Sequence, residues 1–149
     1  LMIGISSCLA GCKCTYKGSD NLIDEAKQLV DDGKAVLICP EVLGNLGTPR
    51  LPCEIIGDRV IDIEGNDKTE AYRLGAKKAL EILKENHVEV VLMKAKSPSC
   101  GKGFIYDGTF SHRLVKGDGI TCQLLQNHGI IVYSEDEIED FLKFIEKRL

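Results

Sequence analysis

The 149 residues suffice for one ordinary domain with a sizeable core, and a composition of 44% hydrophobic and 28% charged residues excludes disordered and fibrous proteins. The net charge of −4 argues against a general binder of nucleic-acid backbones, whose footprint is usually basic. No apolar run approaches the ~18 residues of a membrane span, and the start of the chain lacks the regions of a secretory signal.

The first third of the chain alternates strands with a helix. Residues 2–6 form a short apolar run that predicts a buried strand, and residues 35–39 predict a second strand that Pro40 stops. Between them, Asn21 is expected to cap a helix that runs to about residue 32. The inward stripe of this helix is expected to consist of Leu22, Ala26, Leu29 and Val30.

The middle of the chain predicts a loop, a hairpin and the longest helix. Residues 41–53 contain several Gly and Pro residues and are expected to form a loop, whereas residues 54–63 predict a hairpin with a tight Gly-Asp turn. A helix is expected over about residues 67–86, followed by a third core strand over residues 88–93. The apolar face of this helix is expected to carry Ala71, Leu74, Ala79, Ile82 and Leu83.

The last third predicts a long loop before two further helices. Residues 94–119 are rich in Gly, Ser and Lys, and residues 106–109 within them are expected to form a turn. A short helix is predicted over residues 120–127 and a fourth strand over residues 130–133. Ser134 and Glu137 have the spacing of a capping box, which predicts the start of a terminal helix.

This order of elements predicts the fold class. Strands that alternate with helices indicate parallel pairing through right-handed crossovers. No internal repeat, low-complexity segment or linker interrupts the pattern. Residues 1–149 are therefore expected to form a single α/β domain, a three-layer Rossmann-like fold with a mostly parallel sheet and an inserted hairpin.

The chain contains seven cysteines, and the positions of three matter more than the number. Cys8 follows the first predicted strand, Cys39 ends the second, and Cys100 lies in the loop after the third. Because ligands bind outside the carboxyl ends of strands in open α/β sheets, these thiols can meet at one site. Without a secretory signal, such cysteines more often serve metal or redox chemistry than disulfides, and we expect a cytoplasmic protein.

The residue pattern leaves the nature of this site open. A structural zinc site normally takes four protein ligands, often in C-x-x-C pairs, and the chain contains no such pair. Three thiolates on an iron–sulfur cubane would leave one iron open to polarise a substrate. The alternative is that each cysteine is a small buried hydrophobic residue. Cys12 and Cys14 form a C-x-C pair that either joins the site or belongs to an ordinary loop.

Polar residues flank two of these thiols. Glu41 lies two residues beyond Cys39, and Ser97 lies three residues before Cys100. A carboxyl that is desolvated near a metal site can hold a proton near neutral pH, which suits general acid–base catalysis. The alternative for Glu41 is an ordinary carboxylate in a loop or at a helix N-terminus.

Four motifs occur in an order and spacing that resemble the thiouracil desulfidase family, long known only as a domain of unknown function. The motifs are SSCLAG followed by Tyr16-x-Gly18, CPEVLG followed by Thr48-Pro49-Arg50, KSPSCG, and IYDGTF. The resemblance covers nearly the whole chain and corresponds to the single-domain short form of the family.

That resemblance implies a [4Fe–4S] cluster bound by Cys8, Cys39 and Cys100, with one iron that the protein does not ligate. It implies that this iron takes the sulfur of thiouracil or a thionucleoside, which leaves the carbonyl base and hydrogen sulfide without net redox. The family's catalytic glutamate and serine correspond to Glu41 and Ser97. Cluster-assembly machinery is the implied partner, and a preparation in air can lack the cluster.

The sequence departs from the family pattern in two ways. Thr15 and Lys17 stand where relatives often carry Arg and Asp, and the chain ends after one predicted domain, whereas longer relatives include some that act on thiolated tRNA. We therefore expect a small thiolated pyrimidine as the substrate, with tRNA less favoured and no membrane partner. The alternatives are a non-catalytic iron–sulfur or zinc-binding sensor or sulfur carrier, and a zinc or thiol redox protein.

Three further residues have ordinary interpretations at this stage. Cys53 and Cys122 lie in predicted secondary structure and are expected to be packing residues. Arg50 follows a turn bounded by proline, where it either binds an anionic group or forms a surface salt bridge.

Overall fold

A four-stranded parallel sheet forms the centre of the fold in the computed structural model, which describes residues 1–148. The strands in chain order are β1 (Ile3–Ser6), β2 (Ala35–Ile38), β3 (Cys53–Ile56), β4 (Arg59–Asp62), β5 (Val90–Met93), β6 (Phe104–Tyr106), β7 (Leu114–Lys116) and β8 (Ile131–Ser134). The central sheet has the order β2-β1-β5-β8. Its strand order therefore reverses between β1 and β5.

Within residues 1–148, five α-helices lie on or beside this sheet. They are α1 (Asp24–Asp31), α2 (Pro40–Leu43), α3 (Thr69–Glu85), α4 (Ile120–Asn127) and α5 (Ile138–Glu146). One face of the sheet packs against α1 and α5, in a core that includes Ile5, Leu29 and Phe141. The other face packs against α3 and α4, in a core that includes Leu83 and Leu125. This arrangement confirms the predicted three-layer α/β fold.

The inner strands β1 and β5 are buried along their whole length, as their apolar sequences predict. Position 4 in β1 requires glycine because α3 packs close to the strand there. A Cβ at Gly4 would lie 2.7 Å from side-chain carbons of both Leu83 and Val91, so a larger residue would displace the helix layer.

Two antiparallel hairpins lie outside the central sheet. The pairing of β3 with β4 was predicted, whereas the pairing of β6 with β7 was not. All three residues of β7 are exposed, so its sequence lacks the alternation that marks a strand with one buried face. The turn predicted over residues 106–109 falls at the end of β6 and in its connection to β7, whereas the two strands themselves were not predicted.

A helix replaces part of the loop predicted over residues 41–53. α2 begins at Pro40, and proline is favoured at the first helical position because its missing N–H has no partner there. Four residues are too few to display a helical period. At α1, the carboxylate of Asp20 accepts a hydrogen bond from the backbone N–H of Leu22 at 3.0 Å, and the helix begins later than predicted.

Two residues predicted to face the core do not. Leu22 is 45% exposed, because it precedes α1, and Leu74 is 38% exposed. The buried face of α3 instead consists of Thr69, Tyr72, Gly75, Ala76, Ala79, Leu80 and Leu83. The apolar stripe predicted for α3 was thus partly wrong, because Leu74 lies outside the buried face of the helix.

The capping box before α5 is confirmed. The Ser134 hydroxyl accepts from the N–H of Asp136 at 3.0 Å, and a Glu137 carboxylate oxygen accepts from the N–H of Ser134 at 3.1 Å. These bonds start a short 3-10 helix that leads into α5. Among residues 1–148, no helix is both long and apolar enough to cross a bilayer.

Candidate active site

A cavity of about 560 Å³ opens at the carboxyl ends of β1, β2 and β5. The strand order reverses at this point, which is where open α/β sheets bind ligands. The volume falls within the ~300–1,000 Å³ typical of small-molecule pockets. The strand ends, α2, the segment 14–21 and both hairpins contribute to its walls.

Cys8 lies in a 3-10 turn directly after β1 and is 9% exposed. Gly11 closes this turn with a positive φ of 100°, and the chain then returns so that the N–H of Asn21 donates to the Cys8 carbonyl at 2.9 Å. Burial raises the pKa of the Cys8 thiol to about 11, and a hydrogen bond from the Asn21 side chain acts in the opposite direction. Asn21, which we expected to cap a helix, therefore contacts the cavity cysteine instead.

Cys39 immediately precedes α2, and its Sγ lies 4.0 Å from the Cys14 carbonyl oxygen. A hydrogen bond from the Cys14 side chain and one from the Val42 N–H lower the pKa of Cys39 to about 7, although burial acts against this shift. The same interaction with Cys39 raises the pKa of Cys14. Cys39 is thus the thiol of the cavity that ionises most readily.

Cys100 is 6% exposed and lies in the loop after β5. The Ser97 hydroxyl oxygen shapes this loop, because it accepts from the N–H groups of Ser99 and Cys100, both at 3.0 Å. Burial raises the pKa of the Cys100 thiol, and a hydrogen bond from Ser6 at the end of β1 partly opposes that shift. The third thiol is therefore held by the loop after β5 that Ser97 shapes.

The three cysteines that the sequence predicted to meet all line this cavity. Within residues 1–148, no group of three or more His, Cys, Asp or Glu side chains is arranged to hold a single metal ion. One tetrahedral zinc ion with bonds of about 2.3 Å would require sulfur atoms about 3.8 Å apart. The thiols share a cavity without converging on one point.

Glu41 forms an ion pair with Arg50 at the wall of the cavity, where the two side chains are 15% and 10% exposed. Arg50 Nε donates to Glu41 Oε2 at 2.9 Å, and Nη2 donates to the same oxygen. The other Arg50 N–H groups bond to the carbonyls of Cys14 and Gly47 at 2.9 and 3.0 Å, and to the Thr48 hydroxyl at 3.2 Å. Glu41 Oε1 has no hydrogen-bond partner among the described residues.

This ion pair changes the interpretation of both residues. Arg50 meets an anionic group, the Glu41 carboxylate, as one of the two alternatives predicted. The pair lies in the cavity wall, so the alternative of a surface salt bridge was wrong. Burial acts against the charge on Arg50, but the Glu41 carboxylate more than offsets it and raises the pKa of Arg50. Glu41 lies in the first turn of α2, which agrees with the alternative of a carboxylate at a helix N-terminus, and it also faces the fixed positive charge of Arg50.

Two glycines allow α2 to lie directly on α3. A Cβ at Gly75 would collide with the Pro40 carbonyl, and a Cβ at Gly44 would collide with the Ala71 carbonyl. The two helices therefore touch backbone to backbone. This contact fixes the first turn of α2, which carries Glu41.

Tyr72 is a cavity residue that the sequence analysis missed. It lies in α3, is 2% exposed, and lines the cavity beside Cys53. Burial, followed by the charge on Glu41, raises the pKa of Tyr72. Because Tyr72 falls within the apolar face of a long helix, its sequence position resembles that of a core residue. Cys53, which we expected to be a packing residue, lines the cavity beside it.

Of the three remaining cysteines, one lines the cavity and two lie away from it. Cys14 lines the cavity, whereas Cys12 is exposed and is not one of the lining residues. Cys122 is fully buried on the core-facing side of α4, as predicted for a packing residue. Among the described residues, the candidate site therefore contains five of the seven cysteines.

Lys94, directly after β5, brings a positive charge to the cavity. Its Nζ donates to a Glu135 carboxylate oxygen at 2.5 Å, and the N–H of Ala95 donates to the same oxygen at 3.0 Å. The charge of Lys94 also favours the thiolate form of Cys8.

The family described as 2-thiouracil desulfurase matches residues 3–137. The chain belongs to this family. It is similar to the uncharacterized protein YbbK of Bacillus subtilis (strain 168), with 45% identity over 151 residues that span 95% of this chain and 100% of YbbK. It is also similar to a solved structure described as the [4Fe–4S]-dependent thiouracil desulfidase TudS, with a TM-score of 0.92, 37% identity and 97% coverage of each chain.

Membership in the 2-thiouracil desulfurase family confirms the resemblance predicted from four motifs. The similarity to the TudS structure likewise agrees with the predicted α/β fold.

Proposed function

We propose that this chain is an iron–sulfur-dependent desulfidase that removes sulfur from a thiolated pyrimidine, such as thiouracil or a thionucleoside. One observation carries the proposal: three cysteines from separate strand ends and a buried carboxylate–guanidinium pair surround a single cavity. The likeness to TudS, whose description names both the [4Fe–4S] dependence and the thiouracil desulfidase activity, supports it.

Cys8, Cys39 and Cys100 are the proposed ligands of a [4Fe–4S] cluster. Buried thiolates require a nearby positive charge, which bound iron supplies. Each cysteine of a cubane binds a different iron, so the ligands surround the cluster instead of converging on one point. This requirement suits three thiols that share a cavity without forming a single-ion site. Three ligands also leave one of the four irons without a protein ligand.

The proposed overall reaction converts a thiocarbonyl and water into a carbonyl and hydrogen sulfide. The oxygen of water forms a bond to carbon, the carbon–sulfur bond breaks, and both protons of water leave with sulfur. The oxidation state of carbon is unchanged, so the reaction needs no external electron donor or acceptor. When bound, the cluster supplies a Lewis-acidic iron for the substrate sulfur.

Glu41 is the proposed base that takes a proton from the attacking water. Arg50 holds Oε2 through two hydrogen bonds, which leaves Oε1 as the free acceptor. Because Arg50 is itself held by three other oxygens, the carboxylate is oriented before the substrate arrives. A base positioned in this way increases the reaction rate roughly 10²- to 10⁴-fold.

Ser97 is the proposed hydrogen-bond donor to the pyrimidine ring. Its oxygen accepts from two backbone N–H groups, so its own O–H remains available to donate. The two incoming bonds polarise the hydroxyl and strengthen it as a donor. The half-buried side chain lines the same cavity as Glu41.

A free base or nucleoside is favoured over thiolated tRNA as the substrate. The net charge of −4 gives no general attraction to a polyanion. The cavity volume of about 560 Å³ is in the range used for small ligands.

Anaerobic reconstitution with iron and sulfide, followed by a sulfide-release assay, tests the proposal. The reconstituted protein should release hydrogen sulfide from thiouracils and thionucleosides, and little or none from thiolated tRNA. Glu41→Gln keeps the side-chain size and an acceptor for Arg50, so it should bind the same amount of iron. Its kcat should fall roughly 10²-fold or more.

Three results would contradict parts of this proposal. A cluster-loaded protein that releases no sulfide from any thiolated compound would indicate a sensor or sulfur carrier. A colourless, iron-free protein after reconstitution would favour a zinc or thiol redox protein. An unchanged kcat in Glu41→Gln would remove Glu41 from the reaction.

A further inference from the structure

Phe110 lies at the cavity in a backbone conformation that is unusual for its residue type. Its φ is +58°, in the left-handed region that bulky side chains rarely occupy. Such conformations persist only where the surrounding structure fixes them, and they cluster at binding and active sites. The Phe110 side chain is half-buried and lines the cavity.

A buried carboxylate from the other hairpin holds this conformation in place. Glu54 in β3 is 8% exposed, and its Oε1 accepts from the backbone N–H groups of Gly108 at 2.9 Å and Phe110 at 3.1 Å. The loop also packs tightly on β3, because a Cβ at Gly108 would lie 2.9 Å from the Ile55 carbonyl oxygen. The two hairpins thus meet at one carboxylate.

Neither Glu54 nor Phe110 has a part in the proposed bond-breaking chemistry, yet together they fix an aromatic ring at the cavity. We propose that Phe110 determines specificity by stacking on the planar ring of the substrate, and that Glu54 is the positioning residue that holds Phe110 there. This inference rests on the proposed function, since it requires a heteroaromatic substrate.

Stacking fits the chemistry of a thiolated pyrimidine. A phenyl face contacts the flat ring regardless of which ring carbon carries sulfur, so it binds substrate and transition state equally. Tyr106 and His112 line the cavity nearby, and their rings make an edge contact with centroids 5.8 Å apart. The site should therefore accept both 2- and 4-thiouracil and discriminate against thioamides without a ring.

Two substitutions at Phe110 distinguish the contribution of the aromatic ring to KM from that of the backbone conformation. Phe110→Asn removes the ring but keeps a residue that tolerates positive φ. Its KM for thiouracil should rise about tenfold or more, and its kcat should stay within about twofold of the wild type. The reason is that the lost ring contributes equally to binding of the substrate and of the transition state. Phe110→Tyr should keep the wild-type KM. The affinity of the cluster-free protein for uracil, measured by saturation-transfer NMR, should follow the same order.

Two substitutions at Glu54 test the positioning role. Glu54→Gln keeps a side-chain oxygen that can accept from both N–H groups, whereas Glu54→Ala removes it. Glu54→Ala should raise KM as Phe110→Asn does and should accelerate amide hydrogen exchange at Gly108 and Phe110. Glu54→Gln should stay close to the wild type in both measurements.

The outcomes distinguish this inference from the proposed function. If the wild type releases sulfide but Phe110→Asn leaves both KM and uracil affinity unchanged, stacking is wrong and the desulfidase proposal stands. If the wild type releases no sulfide but uracil affinity still falls in Phe110→Asn, stacking stands and the desulfidase proposal fails. If Glu54→Gln behaves like Glu54→Ala, the positioning role of the Glu54 hydrogen bonds is wrong.

Discussion

The cavity has a floor and a rim that are built in different ways. The floor, defined by Cys8, Cys39, Cys100 and Glu41, is attached to the ends of the inner strands and to a helix seated on α3. The rim, defined by residues 53–62 and 104–116 of the two hairpins, lies outside the central sheet, and polar contacts such as those of Glu54 join its two parts. Substitutions in the floor should therefore abolish chemistry or folding, whereas substitutions in the rim should shift affinity.

The largest effect is expected from the floor cysteines. Cys39→Ser and Cys100→Ser should each prevent stable cluster loading and abolish sulfide release, because a serine oxygen is a poor ligand for the soft iron of a cluster. Iron and acid-labile sulfide per chain, together with visible absorbance, measure the loading. Cys12→Ser is the matched control, since Cys12 is exposed and does not line the cavity, and it should load normally. A Cys39→Ser protein with a full cluster would overturn the ligand assignment.

The second largest effect is expected from the buried ion pair of the floor, formed by Glu41 and Arg50. Arg50→Met leaves the Glu41 carboxylate buried without its partner, which should destabilise the cluster-free protein by about 3 kcal/mol or more in urea unfolding. Adding Glu41→Gln should recover part of that loss, because no unpaired charge then remains.

Arg73→Met provides the control for this prediction. Arg73 pairs with Glu70 on the surface of α3, where the two side chains are 50% and 80% exposed. Exposed pairs contribute about 0–1 kcal/mol, so this variant should unfold close to the wild type. Equal losses in Arg50→Met and Arg73→Met would show that burial of the floor pair does not matter.

The sequence was informative about the floor because strand ends can be recognised from apolar runs. Cys8, Cys39 and Cys100 each follow such a run, and the parallel fold then brings them to one edge of the sheet. The partners of the floor residues were harder to predict. Tyr72 is hidden in the apolar pattern of α3, and the pairing of Arg50 with Glu41 depends on how the loop after α2 folds.

The sequence predicted the first rim hairpin but was less informative about the second and about the contacts between the two. All three residues of β7 are exposed, so no alternation marks that strand. The bonds from Glu54 to the loop at Gly108 and Phe110 join residues more than fifty positions apart, and nothing in the local composition indicates them. Long-range polar contacts and positive φ values set the rim, and neither has a periodic signature.

A smaller effect is expected where the floor rests on α3. Gly75→Ala introduces a methyl group against the Pro40 carbonyl, so α2 must move away from α3. Overpacking of this kind costs about 1–3 kcal/mol, and the displacement of Glu41 should lower kcat as well. Gly47→Ala is the control, because a Cβ at Gly47 meets no atom within 4 Å. If both variants behaved alike, the backbone contact would not position the floor.

The smallest effect is expected at the base of the first rim hairpin. Asp67 accepts from the Thr69 N–H at 2.9 Å and from Arg59 Nε at 2.8 Å. The hydrogen bonds from Thr69, followed by the one from Arg59, lower the pKa of Asp67 to about 2. Because this value lies below the ~3.9 of an unfolded aspartate, the stabilisation is present above about pH 4 and is lost as the pH falls toward about 2.

Asp67→Asn tests that dependence, since it keeps an oxygen acceptor for the Thr69 N–H but removes the charge. The cluster-free variant should have a slightly lower Tm than the wild type at about pH 6, and the gap should shrink by about pH 3, because the carboxylate of the unfolded wild type takes up a proton there. Thermal unfolding at several pH values measures the gap. A constant gap would mean that the charge on Asp67 contributes nothing, and that the rim is joined to α3 only by neutral hydrogen bonds such as that from the Val60 N–H to the Thr69 hydroxyl, at 2.8 Å.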